Sequence, residues 1–156
     1  MVEHILALVE LLQDSPLELS RFIEEGVPEQ YALPDGPSLR AACNLIQFMD
    51  EMPGGFLIYC AQEGERIIYT NRWLLRIFQC ENMAEFRELT GNSFRGMVHP
   101  EDLEEVEESI REQIAASQYD LDYVEYRIVR KDGAIRWIED YGHFLQSASA
   151  GGIFYV

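Results

Sequence analysis

The sequence is poor in basic residues and in cysteine. It has 12 Lys and Arg residues against 28 Asp and Glu residues, which gives a formal net charge of -16 at pH 7. Nucleic acids and anionic membrane surfaces attract clusters of Lys and Arg, so this charge excludes both as partners. The cysteines, Cys43, Cys60 and Cys80, are far apart and include no Cys-x-x-Cys pair. They predict reduced thiols, as in the cytoplasm, rather than a disulfide framework or a zinc site.

Long apolar runs and catalytic motifs are also missing. No stretch approaches the roughly 18 to 20 uncharged residues of a membrane span, and the apolar run at 5–9 lacks the basic segment and cleavage site of a signal peptide. There is no Gly-rich phosphate loop and no nucleophile in a known motif. Glu139 and Asp140 are adjacent, so on a strand their carboxylates point to opposite faces. We therefore expect a soluble domain with no catalytic residues, no metal and no membrane contact.

Residues 1–52 are predicted to form a helical segment. Apolar residues cover a wide face of a helix at 2–13, a second helix follows at 16–25, and turn formers fill 27–37. Ser38 then caps a third helix. Such a segment must bury its apolar positions either on the domain that follows or on a second copy, and both alternatives are open. In the second case the helices would form a homodimer.

The rest of the chain is predicted to alternate between strands and helices. Residues rich in β-formers predict strands at 56–61, 67–69, 123–130, 135–144 and 151–156. Short helices are expected at 72–78 and 83–89, and a longer one after His99. Because the helix at 72–78 is dense in apolar residues, including Trp73, we expect it to be mostly buried.

His99-Pro100-Glu101-Asp102 predicts the start of the longer helix. Proline at the first helical position loses no needed N–H, and acidic residues in the first turn are favoured by the helix dipole. One stripe of this helix is apolar and its other faces carry many glutamates. These glutamates predict a solvated helix face, with Glu107 and Arg111 as an i,i+4 ion pair, rather than a metal site.

A hairpin is predicted from residue 123 to residue 144. Apolar and charged residues alternate along its first strand, as in a sheet with one buried face. Asp132-Gly133 predicts a two-residue type I′ turn, because both residues tolerate positive φ. The return strand then places a set of mostly bulky residues on one face: Ile135, Trp137, Glu139, Tyr141 and His143.

Several motifs in residues 54–156 are shared with one family of sensor domains. They are Tyr69-Thr70-Asn71, the segment His99–Asp102, the segment Tyr126–Gly133, and Ile135-Arg136-Trp137-Ile138. On these residues the segment resembles a PAS domain of the PAS fold-3-like subgroup, found in bacterial sensor kinases and cyclic-di-GMP enzymes. The resemblance implies an α+β fold, with a five-stranded antiparallel sheet flanked by short helices and one longer helix. It also implies that the last strand is cut at Val156.

The resemblance implies a sensory input module of a bacterial signalling protein. Such a module binds a small molecule, mediates dimerisation, or does both, to control an effector domain beyond Val156. We favour a GGDEF-type diguanylate cyclase as that effector. The alternatives are a ligand-free dimerisation module, a haem or flavin redox sensor, and the input domain of a sensor histidine kinase.

No cofactor is expected. The flavin-binding LOV subgroup needs a cysteine in a segment that corresponds to Gly91–Arg95, which has none. Haem sensors of this fold take a histidine from the longer helix, which also has none, and His99 and His143 are interpreted as a turn cap and a sheet residue. An unidentified small molecule could occupy a pocket between the sheet and the short helices, and Tyr126, Tyr141 and His143 are its predicted polar contacts. The full set of pocket candidates is Phe56, Ile58, Ile68, Trp73, Phe78, Phe86, Phe94, Met97, Tyr126, Ile128, Trp137, Tyr141 and His143.

Overall fold

The computed structural model describes residues 9, 12, 13, 38–62, 64–146 and 152–156. The chain divides into two compact units, Met1–Gly54 and Gly55–Val156. The helices predicted at 2–13 and 16–25 and the loop predicted at 27–37 lie outside the described residues, apart from positions 9, 12 and 13, which are helical.

In the first unit, the third predicted helix is present. This helix, α1, spans Ser38–Glu51. Ala42, Ile46 and Met49 recur at helical spacing and are buried. Among the residues that the structure describes, no helix is both long and apolar enough to cross a membrane.

The second unit is built on an antiparallel sheet. Its strands are β1 (Leu57–Cys60), β2 (Ile67–Thr70), β3 (Leu121–Val129), β4 (Ile135–Leu145) and β5 (Ile153–Tyr155). They lie in the order β2-β1-β5-β4-β3. The predicted hairpin β3-β4 is confirmed, and β1 and β2 form a second hairpin. The short strand β5 joins the two hairpins by pairing with β1 on one side and β4 on the other.

Helices cover one face of this sheet. They are α2 (Arg72–Phe78), α3 (Met83–Thr90), a 3-10 turn at Phe94–Gly96, and α4 (Leu103–Ala116). The face they cover, which we call the inner face, carries the core side chains Leu57, Tyr59, Val124, Tyr126 and Ile128. We call the opposite side the outer face. The predicted α+β arrangement of short helices and one longer helix is confirmed.

The start of α2 is fixed by a buried asparagine. The Oδ1 atom of Asn71 accepts hydrogen bonds from the N–H of Leu74, at 3.0 Å, and from the N–H of Phe56, at 2.9 Å. This side chain therefore caps the helix and holds the chain that enters β1. The expectation that α2 is mostly buried was wrong: it buries only Leu74 and Phe78, while Trp73 is 42% exposed because α2 turns one side to solvent.

The longer helix begins later than predicted. Residues His99 to Asp102 form a turn, in which the N–H of Asp102 donates to the C=O of His99 at 2.9 Å, and α4 starts at Leu103. Asp102 makes no side-chain cap because its carboxylate is held by β3: Oδ2 accepts from the backbone N–H of Arg127 at 2.9 Å and from its Nε at 3.0 Å. These hydrogen bonds lower the pKa of Asp102 to about 2.

The hairpin turn also differs from the prediction. Gly133 has a φ of 80°, but Asp132 does not take positive φ, so the turn is not type I′. The N–H of Gly133 donates to the C=O of Arg130 at 2.8 Å, and the N–H of Arg130 donates to the C=O of Ala134 at 3.0 Å. This is a three-residue loop, a type I turn followed by a left-handed glycine. It sets the register at Val129 opposite Ile135 and Tyr126 opposite Ile138.

The free edge of β3 is occupied by side chains from α4, from its C-cap and from the turn before it. The Gln113 amide accepts from the N–H of Tyr123 at 2.9 Å and donates to its C=O at 2.7 Å. The Ser117 hydroxyl accepts from the N–H of Leu121 at 3.1 Å. Together with the Asp102 contact to Arg127, these bonds occupy outward backbone groups along the strand, which blocks strand addition at these positions.

Candidate functional site

A cleft lies between α4 and the inner face of the sheet. It has a volume of about 290 Å³, and Tyr59, Phe94, Phe144 and Phe154 form its aromatic wall. The Tyr59 ring is stacked between the rings of Phe94 and Phe154, with centroids 4.6 Å and 5.0 Å away. Because these rings come from β1, β5 and the 3-10 turn, the cleft depends on the joined sheet rather than on one hairpin.

Charged residues line the same cleft. They are Glu65, Glu107 and Arg111. The predicted ion pair between Glu107 and Arg111 is replaced by one between Glu107 and Arg95, whose Nε lies 2.7 Å from Oε1 of Glu107. The reason is that Arg95, in the 3-10 turn, lies beside α4. Burial raises the pKa of Glu65, and the nearby Glu107 carboxylate raises it further. The cleft thus combines an aromatic wall with a predominantly acidic lining.

Two buried aspartates lie on the inner face. Asp140 on β4 is 3% exposed and Asp122 on β3 is 6% exposed. The Tyr126 hydroxyl donates to Oδ2 of Asp140 at 2.7 Å. Burial raises the pKa of Asp140 to about 7 and that of Asp122 to about 6. The pKa of Tyr59 is raised mainly by burial, and the negative charges of the two aspartates raise it further. The cleft wall and the carboxylates therefore influence each other.

A glycine makes room for one of these carboxylates. Gly142 lies opposite Asp122 in the β3-β4 register. A Cβ atom at Gly142 would lie 2.5 Å from Oδ1 of Asp122, closer than real contacts allow. The absence of a side chain here therefore lets a carboxyl group lie over β4.

Asp140 also lines a second, smaller cavity. Its volume is about 80 Å³, and its other lining residues include Met97, Tyr126, Ile138 and Val156. Apart from Tyr126 and the acidic groups, this lining is largely aliphatic, which places a carboxylate in an apolar environment.

Comparison with known proteins decides the family. The family model of the PAS fold matches residues 79–156, which is half of the chain. The chain belongs to the PAS fold family. The predicted resemblance is thereby confirmed, and Gly55–Val156 is called the PAS domain below.

Solved structures agree on the fold. A PAS domain from Colwellia psychrerythraea is 18% identical, with a TM-score of 0.54, and covers 72% of this chain and 91% of its own. The PAS domain of a LuxR-family transcriptional regulator from Burkholderia thailandensis, solved in complex with ethanol, is 22% identical, with a TM-score of 0.51 and coverages of 70% and 91%. A PAS domain from a two-component sensor histidine kinase is 12% identical, with a TM-score of 0.56 and coverages of 76% and 95%. A search among curated proteins returned no match.

Part of the predicted pocket set lies together in the core of the PAS domain. The members buried there are Phe78, Phe86, Phe94, Met97, Tyr126 and Ile128. Phe56 is half-buried, with its ring centroid 6.5 Å from that of Tyr69. Ile58 and Ile68 are also buried, but they do not belong to this core. Successive side chains of a strand point to opposite faces, and the neighbours of Ile58 and Ile68 point to the inner face: Leu57 and Tyr59 in β1, and Ile67 in β2.

The other candidates do not line the interior. Trp137 and Tyr141 are each 68% exposed and Trp73 is 42% exposed. The register of β4 places Trp137, Tyr141 and His143 on the outer face, because Ile138 and Asp140 point inward. His143 is half-buried and lies opposite Leu121. The prediction that Tyr141 and His143 are polar contacts of a pocket ligand was therefore wrong. Of the three predicted polar contacts, only Tyr126 lies inside.

Sequence reasoning missed Tyr59, Asp122 and Asp140. Tyr59 lies in a short apolar strand and gave no signal of its own. Glu139 and Asp140 point to opposite faces, as predicted. Because one carboxylate of such a pair must point inward, the correct strand register would have identified Asp140. The alternation of β3, continued back from Val124 to position 122, would have identified Asp122 in the same way.

The histidines and thiols of the described residues do not form a metal site. His99 caps its turn, since its Nδ1 accepts from the N–H of Glu101 at 3.3 Å, which matches the prediction. Cys43, Cys60 and Cys80 are free thiols. Across the described ranges, no group of three or more His, Cys, Asp or Glu side chains could hold a metal ion.

Proposed function

We propose that this chain is a sensory input module that binds a small molecule in the cleft between α4 and the inner face of the sheet. The observation that supports it is the cleft itself: about 290 Å³, walled by the stacked ring of Tyr59 and its neighbours, with acidic groups beside it. Ligand sites are concave and mostly apolar, with a few polar groups that orient the ligand. PAS domains are sensory and non-catalytic modules of signalling proteins, which supports the same role here.

The proposal includes an effector domain and a cytoplasmic location. The sequence resemblance described above supports a diguanylate cyclase as the effector, with a sensor histidine kinase as the alternative. Free thiols at Cys43, Cys60 and Cys80 agree with a reducing compartment. In this proposal, occupancy of the cleft changes the packing of α4 on the sheet and so alters the effector.

Mass spectrometry after denaturing release tests the cleft. We expect the purified wild-type protein to release a small molecule at close to one equivalent. Ile114→Trp, on the cleft side of α4, should fill the cleft and abolish the release. Ala115→Trp adds the same ring at the exposed neighbouring position and should leave the release unchanged. A wild-type protein that releases nothing, or two variants that release equally, would contradict the proposal.

Dimerisation is the second candidate function, and exposed aromatic residues on the outer face favour it. Trp137 and Tyr141 are 68% exposed and Ile135 is 47% exposed. Soluble proteins rarely leave such a patch uncovered, and patches of this kind mark interaction sites. A second copy could pair through this face, whereas the predicted pairing through the N-terminal helices concerns residues that lie largely outside the described ones.

Light scattering of the full chain tests this second candidate. We expect Trp137→Ser combined with Tyr141→Ser to convert a dimer into a monomer, because the pair contributes most of the exposed aromatic surface of this face. Tyr119→Ser removes an equally exposed ring from a loop and should leave the dimer intact. A monomeric wild-type protein, or a double variant that stays dimeric, would refute the outer-face dimer.

A further inference from the structure

The two inner-face aspartates have hydrogen-bonding capacity that the protein leaves unused. Oδ2 of Asp140 accepts from Tyr126, but Oδ1 of Asp140 and Oδ1 of Asp122 have no hydrogen-bond partner among the described residues, although both atoms are buried. Buried polar atoms in native proteins are nearly always hydrogen-bonded, so each exception requires an explanation such as a bound group.

Among the described residues, no basic side chain influences the pKa of Asp140, and His143 is the basic side chain that influences Asp122, whose pKa it lowers. Four other basic side chains are engaged with other acids. Arg127 binds Asp102, Arg95 binds Glu107, Arg130 binds Asp132, and Lys131 binds Glu85. An ionised carboxylate in an apolar site is costly without an opposite charge. A group that carries positive charge and N–H donors would satisfy both the free oxygen and the charge of the ionised Asp140.

The geometry favours an organic cation over a metal ion. No group of three or more His, Cys, Asp or Glu side chains in the described residues could hold a metal. The cavity beside Asp140 has a volume of about 80 Å³ and is lined mainly by aliphatic side chains, including Met97, Ile138 and Val156, with Tyr126 and Glu139 also on its wall. At about 30 Å³ per water molecule, that is the space of about three waters, which fits a short alkyl chain with an ammonium end.

We propose that Asp140 binds the ammonium group of a small primary amine, whose alkyl part occupies the adjacent aliphatic cavity. Asp140, which lines this cavity, supplies the free Oδ1, and Asp122, its diagonal neighbour on β3, adds negative charge on the same face. An ammonium group can donate an N–H to this oxygen and supplies the opposite charge. This site lies in the smaller cavity rather than in the cleft between α4 and the sheet, so the inference goes beyond the proposed function and does not depend on it.

The experiment uses ethylammonium chloride as the probe, with the full 156-residue chain. Calorimetric titration at pH 8 should show binding of ethylammonium and none of ethanol, which has the same size but no charge. Asp140→Asn should weaken the binding of ethylammonium by about 30-fold or more, since it removes one partner of a buried charge pair. Glu108→Gln, which makes the same charge change at an exposed position of α4, should bind as the wild type does.

Two results would overturn the amine assignment. Equal heats for ethylammonium and ethanol would mean that charge is not recognised, and equal binding by Asp140→Asn and Glu108→Gln would mean that the acidic protein attracts cations in general. Neither result affects the cleft proposal, which is decided by release from the wild type and from Ile114→Trp. Conversely, an empty cleft with Asp140-dependent binding of ethylammonium would refute the cleft proposal and support the amine site.

Discussion

At pH 8, in the absence of ligand, the Asp140→Asn variant is expected to be more stable than the wild-type protein by about 1–3 kcal/mol. Burial raises the pKa of Asp140 to about 7, against an ordinary value of 3.8 for an aspartate in water. The folded protein therefore holds this proton more tightly than the unfolded chain does. The resulting stabilisation is complete below about pH 4, falls as pH rises, and is lost above the folded pKa. Asparagine keeps the shape of the side chain and removes the charge.

Urea unfolding at pH 4, 6 and 8 measures this effect. The charged or titratable groups that influence Asp140 are Tyr126 and Asp122 on β3 and Tyr59 on β1. The advantage of Asp140→Asn should shrink towards pH 4, where the wild-type carboxyl is protonated. Glu108→Gln should follow the wild-type curve within about 0.5 kcal/mol, as exposed substitutions usually do. An Asp140→Asn curve parallel to the wild-type curve would mean that Asp140 has an ordinary pKa.

The Gly96→Ala variant is expected to lose about 3–5 kcal/mol of stability, enough to unfold much of a marginally stable domain. A Cβ atom at Gly96 would lie 1.8 Å from the carbonyl oxygen of Thr90. That carbonyl belongs to the last turn of α3, where Thr90 is buried and its hydroxyl donates to the C=O of Phe86 at 2.8 Å. Because backbone rather than a flexible side chain blocks the position, α3 or the 3-10 turn must move.

Gly91→Ala is the matched control for this variant. Gly91 ends α3 with a φ of 62°, and nothing lies within 4 Å of a Cβ built there. Alanine at Gly91 therefore has only the left-handed backbone penalty of about 1–2 kcal/mol. Thermal unfolding followed by circular dichroism should place the midpoint of Gly96→Ala well below that of Gly91→Ala. Equal midpoints would show that the contact with Thr90 relaxes at little cost.

The elements of the PAS domain could be predicted because their local signals agree with the final fold. Val124, Tyr126 and Ile128 alternate with charged residues and are all buried in β3. Asn71 precedes α2 and Gly91 follows α3, as capping rules require. Such signals depend on a few neighbouring residues and survive in the folded protein.

The face of β4 could not be predicted correctly, and the error comes from one turn. A two-residue turn at Asp132-Gly133 would pair Tyr126 with Glu139 and so direct Trp137 and Tyr141 inward. The observed loop has three residues and pairs Tyr126 with Ile138. A slip of one residue moves every side chain of a strand to the opposite face. The predicted pocket therefore included the outer residues of β4 and omitted Asp140.

Hydrophobicity could not correct that error. The inward positions of β4 include an aspartate and a glycine, Asp140 and Gly142, whereas the outward ones include Trp137 and Tyr141. The pattern is inverted because Asp140 is held by Tyr126 and Gly142 accommodates Asp122, and both of these partners lie on the neighbouring strand β3. Contacts of this kind exist only after the sheet has formed.

The position of β5 has a consequence for how the PAS domain folds. β5 is the last of the five strands along the chain, yet it lies in the middle of the sheet, between β1 and β4. Local hairpins close quickly, whereas pairing between distant segments is slow. During synthesis, the β1-β2 and β3-β4 hairpins must therefore wait as separate pieces, with the edges of β1 and β4 unpaired, until Ile153–Tyr155 leaves the ribosome. Aggregation in that interval, rather than unfolding of the finished domain, should limit the yield of folded protein.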